Sequence, residues 1–159
     1  MWNRQRFVPV VDSNKQPLMP TTPNRATRWV ISGKGTFFWK KGIKCIRLNQ
    51  EPSDRKIQDI AVATDPGSKK EALTVKAKAH TFLNIQVDTP FWVKKAVEKR
   101  RNMRRTRRFR NTPCRAPRWN RACLKKEGMP PSTKARWSSK LRIIKNLVSI
   151  FPVKANIVE

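Results

Sequence analysis

One stretch limits what this chain can fold into more than any other. Residues 98–113, EKRRNMRRTRRFRNTP, hold seven arginines and one lysine, with Glu98 as the only acid. Read as a helix from about Thr89 to Asn111, the segment is roughly 35 Å long at the usual rise per residue. Arg100, Arg104 and Arg107 then form one row, Arg101, Arg105 and Arg108 the next, and Arg110 follows. Like charges three and four apart destabilise an isolated helix, and a polyanion neutralises them. Phe91, Trp92, Val93, Ala96 and Val97 are placed to anchor the first turns in a core. The choice of arginine carries information of its own. Its guanidinium fork makes bidentate contacts to phosphate and stacks on bases, which suits structured RNA. A solvated basic tail, a nuclear-localisation patch or a ribosomal-protein-like arm would show the same charge density.

The rest of the composition points toward an acidic partner. The 159 residues carry 37 bases against 10 acids, a net charge of +27, and fifteen of the bases fall between Lys94 and Lys126. Self-repulsion on this scale destabilises a compact monomer unless a polyanion relieves it. Cys45, Cys114 and Cys123 show no C-x-x-C spacing, and His80 is the only histidine, which disfavours a disulfide framework, a zinc knuckle and most histidine-based sites. No apolar run approaches the ~20 residues of a membrane span. The start, MWNRQRFVPVV, lacks a secretory apolar region. The expected setting is intracellular, whether cytoplasm, nucleoid or organelle stroma, with reduced thiols.

Hydrophobic periodicity predicts an α+β fold. FVPVVD reads as a strand that Pro9 pushes to a sheet edge, and SNKQ as a turn. TPNRATRWVISGKG has helix punctuation at both ends, with Thr22 to cap, Pro23 in the first position and Gly33 for the left-handed exit. TFFWKKG and IKCIRL follow as two short strands around Gly42, then a polar linker, NQEPSDRK. DIAVATDPGS, EALTVKAKA and FLNIQVD alternate as three strands of an antiparallel meander. After the arginine stretch and a Pro-rich basic loop, Ser132 can cap a last helix with Ala135, Leu141, Ile144, Leu147 and Val148 on its inner face. Phe151-Pro152 ends that helix, and VKANIVE starts another strand. Trp29, Trp39, Trp119 and Trp137 are able to stack on bases, with buried packing expected for the first two.

Two acids sit at strand ends. Asp65 follows an apolar strand and precedes a Pro-Gly-Ser turn beside Lys69 and Lys70, and Glu159 closes ANIVE. Asp65 is either a turn residue or a ligand for Mg²⁺, which takes oxygen donors and substrate phosphates. Three antiparallel strands, a helix and a parallel strand, with acids on the first and fourth strands, open an RNase H-like fold. Two divalent metals between such acids activate water and stabilise the leaving oxygen of a phosphodiester.

With these pieces in order, the chain resembles the IscB-like, RRXRR-type transposon-encoded proteins. PLMP at Pro17–Pro20 resembles their N-terminal module, ATDPGSK their first RuvC segment and EKRRNMRRTRRFR their bridge helix. MPPSTKARW resembles the stretch that follows that helix, and VKANIVE the start of the second RuvC segment. The resemblance implies a small PLMP αβ module (1–50) and a partial RNase H-like sheet (57–88). An inserted arginine-rich helix (89–112), a Pro-rich loop (113–131), and a helix with the start of the second segment (132–159) complete it. It also implies an RNA-guided DNA endonuclease lineage, in which base pairing reads the target and the protein holds the guide RNA. Asp65 and Glu159 would be the first and second RuvC carboxylates, catalytic and Mg²⁺-binding. Arg100, Arg101, Arg104, Arg105, Arg107, Arg108 and Arg110 would contact RNA.

This sequence departs from the family at two places. Lys70-Glu71 stands where a Thr-Gly pair is common, and the sequence stops at Glu159, before an HNH domain or a third RuvC segment. The expected function is therefore the guide-RNA-binding N-terminal part of such an endonuclease. Target DNA and a second chain carrying the remaining RuvC and HNH parts are the expected partners, and Mg²⁺ would bind only once the site is completed. A non-catalytic RNA-binding relative, associated with ribosomes or introns, is the alternative.

Overall fold

The structure, a computed structural model, describes residues 6–111 and 129–158. They fall into two compact units, one of the residues up to Thr89 together with those from Leu141, the other of Pro90–Lys140.

The first unit contains two four-stranded sheets. β1 (Val8–Val11), β2 (Pro17–Thr21), α1 (Pro23–Ile31), β3 (Gly35–Lys40) and β4 (Ile43–Leu48) build the first sheet, in the order β2-β1-β4-β3. Here β1 runs parallel to β4, and the other pairs are antiparallel. β1 is an inner strand, contrary to the edge position expected from Pro9. Two features accommodate the missing N–H. Pairing with β4 involves only Val10 and Val11, and the register with β2 shifts between Val8 and Val10, around Pro9. The PLMP tetrapeptide, for which periodicity suggests no strand, forms most of edge strand β2, where two prolines are tolerated because one side of the backbone needs no ladder partner.

The local punctuation of α1 is realised. Pro23 occupies its first turn, and Gly33, at φ 71°, donates to the Val30 carbonyl while Lys34 N–H reaches Trp29. Thr22 stands at the N-cap but makes no side-chain capping bond. Between β3 and β4, Lys41 and Gly42 both take positive φ, as a tight two-residue hairpin requires.

The second sheet holds β5 (Ile60–Asp65), β6 (Lys70–Ala77), β7 (Thr81–Asp88) and β8 (Val153–Val158), in the order β7-β6-β5-β8. The first three form the expected antiparallel meander, and β8 lies parallel to β5. Alternation assigns the faces: Ile60, Val62, Leu73 and Val75 are buried on one side, while Ala63, Asp65 and Ala72 are exposed on the other.

One core is shared by both sheets. Cys45 of the first sheet packs with Ile60, Val62, Leu73, Val75 and Phe82 of the second, closed by Leu147, Ile150 and Phe151. A smaller core under α1 contains Val8, Val10, Leu18, Ala26 and Ile46. The linker between the sheets is tied down, because Arg55 Nη2 donates to Asp12 Oδ2 at 2.9 Å, and the Asp12 side chain is fully buried.

The remaining helices are α2 (Trp92–Asn111) and α3 (Pro131–Val148). α3 starts one residue before the expected cap, with Lys134 N–H on the Pro130 carbonyl. Its inner face is Ile143, Ile144 and Leu147, whereas Leu141 and Val148, expected there, are exposed. The five expected positions do not share one helical stripe, and contact with the sheet selects the face built around Leu147.

Candidate nucleic-acid interface

α2 begins at Trp92, three residues later than expected, because Pro90 and the anchoring of Thr89 delay it. The Thr89 hydroxyl donates to the carbonyls of Ser68 and Lys69 instead of capping the helix. Of the apolar residues meant to anchor the first turns, only Val93 is buried. Phe91 is 64% exposed, Trp92 67% and Val97 42%. Successive residues of a helix are about 100° apart, so a run of neighbouring apolar side chains fans around the axis and only one can face inward.

The same geometry gathers the arginines. Arg107, Arg100, Arg104, Arg108, Arg101 and Arg105 fall, in that angular order, within about 160° of helix circumference, over about 12 Å of axis. Arg110 stands outside that sector. All seven are exposed, and among the described residues none has an acidic partner. Val97, Arg101, Arg104, Arg105 and Arg108 line a groove of about 570 Å³. Asn102 and Thr106 lie on the opposite side, and the Thr106 hydroxyl is turned inward onto the Asn102 carbonyl. One face of α2 thus gathers six guanidinium groups, which are able to make bidentate contacts to phosphate.

Asp65 is the last residue of β5, exposed, with Ala72 opposite it on β6 and Gln86 beyond on β7. Its direct cross-strand partner, Ala72, is small, and the Asp65 side chain is exposed. The turn after it depends on Gly67, since a β-carbon there would collide with the Lys70 carbonyl. Asp88 pairs across with Lys70, two strands from Asp65 and thus about 10 Å to the side. Glu71 is buried on the core face beside Leu73. Among the described residues no three His, Cys, Asp or Glu side chains gather as metal ligands. At the end of β5, Asp65 offers one exposed carboxylate. Glu159 lies outside the described residues, which end with Val158 opposite Thr64 on β5. The Pro-rich loop, with Cys114, Cys123 and Trp119, also lies largely outside them.

A family model, that of the RRXRR proteins, matches residues 8–159. The chain belongs to the RRXRR family. The match runs from β1 to β8, and within α2 Arg104–Arg108 spell R-R-T-R-R. No curated protein matches the chain.

Other sequence candidates are resolved by their surroundings. Burial pushes the Cys45 thiol up to about 11, against the opposing pull of the Lys40 charge, so this RRXRR chain does not present it as a nucleophile. His80 rests against Phe7, ring centroids 5.9 Å apart, as a packing contact. No helix among the described residues is long and apolar enough to cross a membrane. Trp39, for which burial was expected, is 61% exposed. Only its place at the tip of a hairpin full of lysines hinted at that.

Proposed function

We propose that this chain binds structured RNA along α2 and is the guide-RNA-binding part of an IscB-like, RNA-guided DNA endonuclease. The observation that carries this reading is the guanidinium face: six arginines within about 160° of one helix, with no acidic partner among the described residues. A face of that width and length suits the closely spaced phosphates of an A-form or folded RNA, and bidentate arginines grip such a backbone without reading its sequence. Family membership supports the same reading. Asp65, open at the end of β5, is the residue proposed to contribute to a RuvC site. Among the described residues no three His, Cys, Asp or Glu side chains gather there, so a complete site would need further ligands beside Asp65.

A second reading rests on α2 alone, an RNA-binding relative without nuclease activity, because the guanidinium face serves RNA whether or not Asp65 serves a nuclease. Competition binding tests the first claim. At one salt concentration the chain should hold a folded RNA more tightly than duplex DNA of equal length, and equal affinity for the two refutes the RNA assignment. The second claim separates on a nicking assay with guide-matched DNA and Mg²⁺. Cleavage lost in Asp65→Ala supports the nuclease, and no cleavage with any complementing chain supports the non-catalytic protein.

A further inference from the structure

The β3–β4 hairpin directs Phe38 and Cys45 to the shared core and turns Phe37, Trp39, Lys44 and Ile46 toward the α1 side. Phe37 and Ile46 are absorbed in the core under α1. Trp39, two residues further along the same face, is 61% exposed. Its cross-strand partner is Lys44, whose Nζ stands 4.0 Å from the centre of the Phe37 ring. Phe37 and Lys44 also line a cavity of about 600 Å³, together with Arg6, Val8, Thr22 and Asn24. An exposed indole therefore stands, by strand register, next to a residue of a recess with an aromatic wall, two cationic side chains and three short polar ones, Thr22, Asn24 and Thr27.

A large exposed aromatic needs a reason, because covering it with water has a free-energy cost that an apolar partner removes. The surrounding charge selects the partner. An apolar protein surface would meet lysine and arginine around the indole, whereas a nucleotide offers a base for the indole and a phosphate for the cations. Base stacking on an aromatic beside a basic groove is how single strands are held without sequence preference. A duplex cannot use the site, since its bases are already stacked on one another.

We propose that Trp39 and the adjoining cavity form a binding site for an unpaired nucleotide of a single-stranded nucleic acid. Its base stacks on the indole, and its phosphate lies between Arg6 and Lys44. The site belongs to the first unit and does not depend on the α2 reading.

The test uses the full chain with Arg100, Arg101, Arg104, Arg105, Arg107 and Arg108 all changed to Gln, so that α2 no longer dominates binding. Two fluorescent probes are compared by anisotropy, a single-stranded oligoadenylate of about twelve nucleotides and a blunt RNA duplex. Trp39→Ala should weaken the single strand roughly 5- to 150-fold and leave the duplex unchanged. Trp39→Phe should keep most of the affinity. Arg6→Gln and Lys44→Gln should each lower the single-strand salt slope by about 0.7. Circular dichroism checks that the exposed position does not affect folding. Unchanged single-strand affinity in Trp39→Ala overturns the proposal and leaves the indole to a protein contact. Equal loss on both probes overturns it, as does a Trp39→Phe chain as weak as the alanine variant. A six-glutamine chain with no single-strand binding overturns it too, without bearing on whether α2 binds RNA.

Discussion

Neutralising the guanidinium face of α2 is the perturbation with the most predictable size. Changing Arg100, Arg101, Arg104, Arg105, Arg107 and Arg108 to Gln removes six charges that fall within about 12 Å of helix axis. A duplex presents about one phosphate per 1.7 Å of axis, so about seven lie within that length, enough for every arginine. Each phosphate neutralised adds about 0.7 to 0.9 to the slope of log K against log salt. If four to six arginines engage at once, the slope should fall by about 3 to 5. At about 0.15 M salt that corresponds to a loss of roughly two and a half to four decades in affinity for structured RNA. Filter binding across a salt series measures it. The control is an equal number of exposed bases changed elsewhere: Arg28, Lys34, Lys76, Lys78, Arg136 and Arg142. These are spread over α1 and its exit, the β6–β7 hairpin and α3 instead of one helix face, and their loss should move the slope by about 1 or less. Equal slope changes in the two sextuple variants would refute the reasoning, since binding would then follow total charge and not its arrangement on α2.

Three further outcomes follow from the first unit. Among the described residues, Arg55→Ala leaves the buried Asp12 carboxylate with the Ser13 N–H and hydroxyl as donors. A cost of about 1–3 kcal/mol is expected in urea unfolding, reduced from the value for a fully buried pair because the Arg55 side chain is half exposed, and a cost below about 0.3 would contradict the role given to the pair. Cys45 holds its proton more tightly when folded, so its contribution is intact below about pH 9 and is lost as pH rises from about 9 to 11, by up to about 3 kcal/mol. Unfolding measured over that window should show a steeper alkaline decline in the parent than in Cys45→Ala, and parallel curves would count against it. Gly67→Ala should destabilise the chain by about 1–3 kcal/mol through the collision with the Lys70 carbonyl, visible as a lowered melting temperature, and an unchanged midpoint would mean the turn can relax.

Much of this molecule is legible one segment at a time. The meander β5–β7, the hairpin around Gly42, the left-handed exit of α1 at Gly33 and the charge of α2 follow from alternation, turn chemistry and composition, which act between residues close in sequence. The fold class and the Asp65 strand end are read from the same signals. What fails in the sequence reading involves a neighbour distant in the chain. Pro9 suggests an edge, yet β1 is internal, because β2 and β4 arrange their pairing around it. PLMP shows no strand signal because an edge strand needs only one ladder. The exposure of Trp92 and Trp39, the burial of Val93 and the choice of the Leu147 face on α3 depend on which surfaces meet. The amino-acid sequence by itself therefore determined the elements, their turns and the concentration of arginine. Tertiary structure decided which side of each element is covered, because burial is a property of two surfaces and one sequence segment specifies only its own.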